Sequence, residues 1–106
     1  MKTPATIPDC LELLDAVVDE DYKSELKNRD PSDLTEFNED LGQYIRNSWL
    51  YDESSPLVKT FRLMELNWTS LEEVSAYLIK FYREYLLGSD YDQNKFMEGF
   101  RKEVNR

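Results

Sequence analysis

Apolar residues recur along most of this chain at the three- and four-residue spacing of an amphipathic helix. The pattern is clearest over residues 31–50, and Asp30 followed by Pro31 predicts the N-cap and first turn of that helix. Its outer face carries Asp33, Glu36 and Asp40. At about 100° per residue, one narrow sector of the same helix contains Leu34, Phe37, Leu41, Tyr44, Ile45, Ser48 and Trp49.

Two helices are predicted before this one. The first begins near Pro8, and its apolar stripe is formed by Leu11, Leu14, Val17 and Val18, with Leu13 at its side. The second is a short surface helix over residues 20–28. Its apolar residues, Tyr22 and Leu26, lie four positions apart and therefore share one face.

Three more helices are predicted in the second half. Ser54-Ser55-Pro56 indicates the start of a fourth helix, with Leu57, Val58, Phe61, Leu63 and Met64 on its apolar face and an end near Asn67. Thr69-Ser70-Leu71-Glu72 matches a capping box that starts a fifth helix, and Gly88 is placed to end it. A terminal helix contains Phe96, Met97, Phe100 and Val104. The sequence therefore predicts an all-α fold, in which residues 1–106 form one compact single-domain bundle of about five or six short helices.

Charge is distributed unevenly between the two halves of the chain. The net charge is −9, and residues 1–53 hold 14 Asp and Glu against 5 Lys and Arg, whereas residues 54–106 hold 8 against 8. A one-sided acidic field repels nucleic acid and anionic lipid and attracts basic surfaces. We therefore expect a basic protein as partner, with no direct binding to nucleic acid or to a membrane.

The residue types offer little for catalysis. The chain has no histidine, and Cys10 is its only cysteine, so a His-based acid/base site and a cysteine metal cluster are both excluded. Cys10 flanks the first apolar stripe, as a small core residue does. Acidic triplets such as Asp19-Glu20-Asp21 lack the pattern of a calcium loop. We expect no enzyme activity, no metal and no cofactor. The absence of a long apolar segment predicts a cytoplasmic protein.

The segment Leu41–Trp49 contains the most distinctive residues. Gly42 lies inside a predicted helix, which costs about 1 kcal/mol relative to alanine, so we expect a tight helix crossing there, with a ligand contact as the alternative. Arg46 lies two turns beyond Glu39 on nearly the same line, and we expect an ion pair within its helix or with another helix rather than anion binding. Asn47 faces the acidic side, or it caps the following loop.

This segment, Leu-Gly-x-x-Ile-Arg-Asn-x-Trp, resembles a family of small uncharacterised bacterial domains over about residues 8–86. The family-like positions are Leu41, Gly42, Ile45, Arg46, Asn47, Trp49 and Ser75. The resemblance implies a histidine just before the Leu-Gly pair and another before the later acidic-serine segment; this chain has Asn38 and Asn67-Trp68 near these places. It assigns no activity to any of these residues.

Three functions fit these observations. The first is an acidic binding protein of the immunity or inhibitor type, which masks a basic surface of another protein and uses aromatic anchors such as Tyr22, Tyr51 and Trp68. The second is mimicry of nucleic acid by the same acidic face. The third is a homo-oligomer assembled through Trp49, Tyr51 and the aromatic fifth helix. The candidate partner-binding residues are Asp33, Glu36, Glu39, Asp40, Arg46, Asn47 and Tyr51.

Overall fold

The computed structural model describes residues 3–30, 32–52, 54–64, 70–88 and 92–104. In these ranges the chain forms six α-helices and no strand: α1 (Ile7–Val17), α2 (Glu20–Asn28), α3 (Thr35–Ile45), α4 (Pro56–Leu63), α5 (Leu71–Leu86) and α6 (Gln93–Val104). A π-helical segment, Arg46–Leu50, directly continues α3. The prediction of an all-α single domain is confirmed.

Helix α5 is the central element, since α1, α2, α3, α6 and the π-helical segment all pack against it. Its buried face, Val74, Leu78 and Tyr82, repeats every four residues and is wholly removed from solvent. Helix α3 contributes Phe37, Leu41 and Ile45 to the same core. The deepest aromatic side chains are Trp49, Phe61, Tyr82, Phe96 and Phe100.

Most of the predicted helix ends are confirmed. Helix α2 covers the predicted residues 20–28, Ser55 caps α4 with Pro56 at its first position, and Gly88 adopts a φ of +97° after α5. The predicted capping residue of α5 is wrong by one position. Ser70 caps the helix, and its hydroxyl oxygen accepts the N–H of Glu73 at 3.2 Å. The predicted cap, Thr69, lies outside the described residues.

The predicted start of α3 is also wrong. The helix begins at Thr35 and not at residue 31, and Leu34 precedes it without a side-chain cap. Asp30 accepts instead from the N–H and the hydroxyl of Ser32, at 2.9 and 2.7 Å. A short acidic side chain that bonds to the backbone two residues ahead forms a turn, which competes with helix initiation.

The fourth helix is shorter than predicted. It ends at Leu63 rather than near Asn67, which lies outside the described residues. Leu63 was placed on the apolar face, but its side chain is 85% exposed.

The predicted apolar sector of α3 fails in its last turn. The N–H of Tyr51 donates to the carbonyl of Arg46 at 3.0 Å, five residues back, and this wider turn changes the direction of the residues within it. As a result Ser48 is exposed, although the regular spacing placed it in the apolar sector, whereas Trp49 and Leu50 are buried.

Ser55 connects the end of this segment to α4. Its hydroxyl donates to the carbonyl of Trp49 at 2.7 Å, and the same oxygen accepts the N–H of Val58 at 3.4 Å. Ser55 is itself buried. One hydroxyl thus provides a partner for a buried carbonyl and caps the next helix.

Replacement of Ser55 by alanine is expected to lower the free energy of unfolding by about 2 kcal/mol, because it removes the helix cap and leaves the Trp49 carbonyl without this partner. Among the described residues, the hydroxyl of the neighbouring Ser54 bonds to the exposed side chain of Asp52, so Ser54→Ala is the matched control and should change stability by less than about 0.5 kcal/mol. Urea unfolding measures both. Equal losses in the two variants would contradict the role given to Ser55.

Candidate functional site

The acidic residues predicted to bind a partner are separated by the fold. Asp33 and Glu36 both approach Arg29, with nitrogen–oxygen distances of 4.0 and 3.6 Å. The same guanidinium stacks over the ring of Phe37, 4.9 Å from its centroid. Part of the acidic charge predicted to be available on α3 is therefore compensated within the protein.

Glu39 and Asp40 differ from these two residues. Both are exposed, and neither forms an ion pair with any residue that the structure describes. Farther along, Asn47 is exposed in the π-helical segment and Tyr51, directly after it, is 62% exposed. Among the aromatic anchors, Tyr22 is half-buried and Trp68 lies outside the described residues.

Arg46 belongs to a polar cluster between α3 and α5 that also contains Asn38 and Ser75. Its Nη1 atom donates to the carbonyl and side-chain oxygens of Asn38, at 3.3 and 3.2 Å, and to the Ser75 hydroxyl at 2.8 Å. The Ser75 hydroxyl in turn donates to the Asn38 side-chain oxygen at 2.7 Å. The ion pair expected for Arg46 is not formed with any described residue, because neutral oxygens of the cluster hold the guanidinium.

Gly42 provides the space for this cluster. A Cβ atom at this position would lie 2.0 Å from Asn38 Oδ1 and 3.0 Å from Arg46 Nη1. The prediction of a tight crossing is therefore right about the crowding but wrong about its source, since the closest atoms belong to a side chain of the same helix. Asn38, Gly42 and Arg46 lie four residues apart, so they form one stripe along α3. That spacing is visible in the sequence, whereas the contact with Ser75 is not.

A groove of about 300 Å³ opens on the other side of α3. Asp40 is the predicted partner-binding residue that lines it, together with Asp19 from the start of α2. The remaining wall is apolar and aromatic, and consists of Val17, Val18, Tyr22, Leu41 and Tyr44. Both valines belong to the apolar stripe predicted for the first helix, but Val17 is 52% exposed at the groove.

Polar contacts fix the helices around this groove. Lys23 of α2 pairs with Asp15 of α1 at 3.0 Å, and the Tyr82 hydroxyl donates to the same carboxylate at 3.4 Å. At the other end of α2, the Nε atom of Arg83 donates to the carbonyls of Leu26 and Arg29, each at 3.2 Å. These bonds satisfy carbonyls that a helix end leaves free, so α2 is held at both ends.

Tyr22 forms part of the groove, and its hydroxyl is buried without a hydrogen-bond partner among the described residues. Burial, together with the negative charges of Asp40 and Glu25, raises the pKa of this phenol to about 12. The backbone N–H of Leu41 opposes the increase in part, although it is not in hydrogen-bonding geometry with the hydroxyl. Burial is the main cause of the shift, and the two carboxylates add to it.

Comparison with protein families assigns the chain. Residues 3–86 match the model of a domain of unknown function, DUF6794. The chain belongs to the DUF6794 family. No curated protein and no solved structure matches it. The resemblance predicted over residues 8–86 is confirmed as one to an uncharacterised domain family. The match covers α1 to α5, so the groove and the polar cluster both lie in the DUF6794 region, whereas α6 follows it.

This DUF6794 chain offers few groups for chemistry in its described part. Cys10 is wholly buried, and burial beside Asp9 raises the pKa of its thiol well above the ordinary value, so it is not an activated nucleophile. No three His, Cys, Asp or Glu side chains converge among the described residues as a metal site requires. Across the same ranges, none of the helices has the length and apolar character that crossing a membrane demands.

If Gly42 makes room for the Asn38 side chain, the effect of Gly42→Ala on the free energy of unfolding should depend on whether Asn38 is present. Gly42→Ala alone should lower the free energy of unfolding by about 1 to 2 kcal/mol, because the new methyl group displaces the Asn38 amide from Arg46 and Ser75. In an Asn38→Ala background the same substitution should be neutral or stabilising by up to about 1 kcal/mol, since helix propensity then acts almost unopposed. Urea titrations of the four proteins provide the test. The same effect in both backgrounds would rule out steric coupling between the two positions.

Proposed function

We propose that this protein is a small acidic binding module of the immunity or inhibitor type, which masks a basic surface of a partner protein in the bacterial cytoplasm and has no catalytic role of its own. The observation that supports it best is the groove between α1, α2 and α3. In this groove, the carboxylates of Asp19 and Asp40, which have no ion-pair partner among the described residues, lie beside exposed apolar surface.

The distribution of ion pairs supports an uncompensated acidic field. In the described part of the first half, Lys23 and Arg29 form all four ion pairs, and they engage Asp15, Glu20, Asp33 and Glu36. Asp19 and Asp40, at the groove, have no ion-pair partner among the residues that the structure describes. Arg46 does not neutralise them, because its guanidinium is directed to Asn38 and Ser75. A basic partner would supply the missing positive charge.

Such a field acts mainly on the rate of association. Complementary charges steer diffusional encounters and raise the association rate well above that of neutral surfaces, and salt screens the effect over about 8 Å at physiological ionic strength. Affinity and selectivity then depend on the apolar and aromatic contacts made after encounter, for which the groove and the exposed ring of Tyr51 are suited.

The first experiment is affinity capture from a lysate of the organism that encodes the chain, at low and at high salt, followed by identification of the captured protein. Stopped-flow binding of the purified partner then measures the association rate. We expect one basic protein, and a rate that falls about tenfold between low and physiological ionic strength. The absence of any captured protein at low salt, or a rate that does not respond to salt, would contradict the proposal.

Charge reversal at one site separates a local surface from the effect of overall charge. Asp40→Lys and Glu98→Lys change the net charge equally, and both positions are exposed on helices, but only Asp40 lines the groove. We expect Asp40→Lys to slow association by about tenfold and Glu98→Lys to slow it by less than about twofold. Equal effects of the two variants would mean that the groove side is not the docking surface.

The same complex tests the two other functions. A nucleic-acid mimic occupies the nucleic-acid site of its target, so duplex DNA or RNA would displace it, whereas a module that docks elsewhere forms a ternary complex. Trp49 was predicted to form part of a homo-oligomer interface. It is only 2% exposed and packs in the core, so it offers little surface for such an interface. A mass by light scattering that rises with concentration would still support self-association.

A further inference from the structure

We infer that the groove between α1, α2 and α3 is a receptor for a single lysine side chain of the partner protein, whose aliphatic stem lies on the apolar wall and whose ammonium group lies beside Asp19 and Asp40. This inference rests on the proposed function, because it specifies which group of a basic partner the acidic surface recognises. Nothing in the proposed function itself requires the groove to accept a particular side chain.

The wall of the groove suits a long aliphatic stem. Val17, Val18 and Leu41 line it together with the rings of Tyr22 and Tyr44. Val17 exposes half of its surface there, and a bound aliphatic chain would remove that surface from water. Lysine combines a flexible four-carbon stem with a terminal charge, and it buries the stem while the charge remains at a polar edge.

The polar edge of the groove suits an ammonium group better than a guanidinium. One oxygen of Asp19, Oδ1, already accepts the N–H of Tyr22 at 2.8 Å, because Asp19 caps α2. Asp40 belongs to a different helix and is exposed. Bidentate recognition of arginine at Asp19 would need both oxygens of that carboxylate, whereas a compact ammonium with three donors can pair with the remaining oxygen of Asp19 and with Asp40.

Tyr22 lies in the wall of the same groove, close to one of its carboxylates. Its buried hydroxyl lies in the negative field of Asp40 and Glu25, and it has no hydrogen-bond partner among the described residues. A buried polar group without a partner is unusual in a native protein. A positive charge in the groove would offset the field at this position.

The test uses the whole chain and four short capped peptides of sequence Ala-X-Ala, with NMR titration as the readout. X is lysine, norleucine, acetyl-lysine or 2,4-diaminobutyric acid, whose shorter side chain keeps its positive charge at neutral pH, so that the set varies charge and stem length separately. We expect the lysine peptide to shift the signals of Val17, Val18, Tyr22, Leu41 and Tyr44, and to bind about fivefold or more tightly than each of the other three.

Two variants and one control assign the binding to the groove. Asp40→Asn should weaken the lysine peptide about fivefold, and Val17→Ser, which alters only the apolar wall at an exposed position, should weaken it about threefold. Glu12→Gln removes one negative charge at an exposed position of α1 outside the groove and should leave binding unchanged. Circular dichroism verifies that the three variants keep their helices.

The outcomes distinguish this inference from the proposed function. Equal binding of the norleucine or the diaminobutyrate peptide, or equal losses in Asp40→Asn and Glu12→Gln, would overturn the lysine receptor. The proposed function would survive that result if the captured partner still bound with a salt-dependent rate. Conversely, selective binding of the lysine peptide without any basic partner in the lysate would support the groove and remove the masking role.

Discussion

The packing of α3 against α5 requires hydrogen-bond acceptors for the guanidinium group of Arg46. Arg46 enters a partly buried interface, where a charge without hydrogen bonds is costly. Asn38 and Ser75 supply the acceptors, and Ser75 is wholly buried. This arrangement exists only because residue 42 has no side chain. The polar cluster that orients α3 on α5 therefore requires glycine at position 42, although glycine weakens a helix.

The orientation of α3 determines what each of its faces does. Asn38 and Arg46 face α5 on one side of the core stripe, and Asp40 faces α1 and α2 on the other. The positive charge of this helix is thereby directed away from its acidic side. If Arg46 had paired with an exposed carboxylate such as Glu39, part of the negative field would have been compensated on the surface. The polar cluster and the acidic groove both follow from the orientation of α3 about its own axis.

The periodic parts of the fold could be predicted from the sequence, and the locally exceptional parts could not. Helix α2 has its predicted bounds, because its apolar pair, four residues apart, agrees with the tertiary structure. The start of α3 was missed because Asp30 bonds to Ser32 in a turn that resembles a helix cap in sequence. The wider turn at Arg46–Leu50 leaves no mark in the hydrophobic spacing, so the burial of Ser48 was predicted wrongly.

The site shows the same division between local and tertiary information. The acidic face was visible as composition, but whether a carboxylate is available depends on which cation the fold brings near it. Arg29 reaches both Asp33 and Glu36, and the sequence pattern gave no reason to separate these residues from Asp40. The apolar wall was hidden because Val17 and Val18 fit the periodicity of a core stripe, although the end of α1 leaves Val17 half exposed.

A groove changes what an acidic surface can select. Charge alone attracts basic surfaces in general, because Coulomb interactions between exposed groups are weakly directional and are screened by salt. Apolar contact depends on shape, and it is gained only by a ligand that fits against the wall. When unpaired carboxylates and an exposed apolar wall lie in one cavity, the first recruits partners and the second discriminates among them. Their coexistence around Asp40 is thus better suited to recognition of a particular partner than to solubility alone.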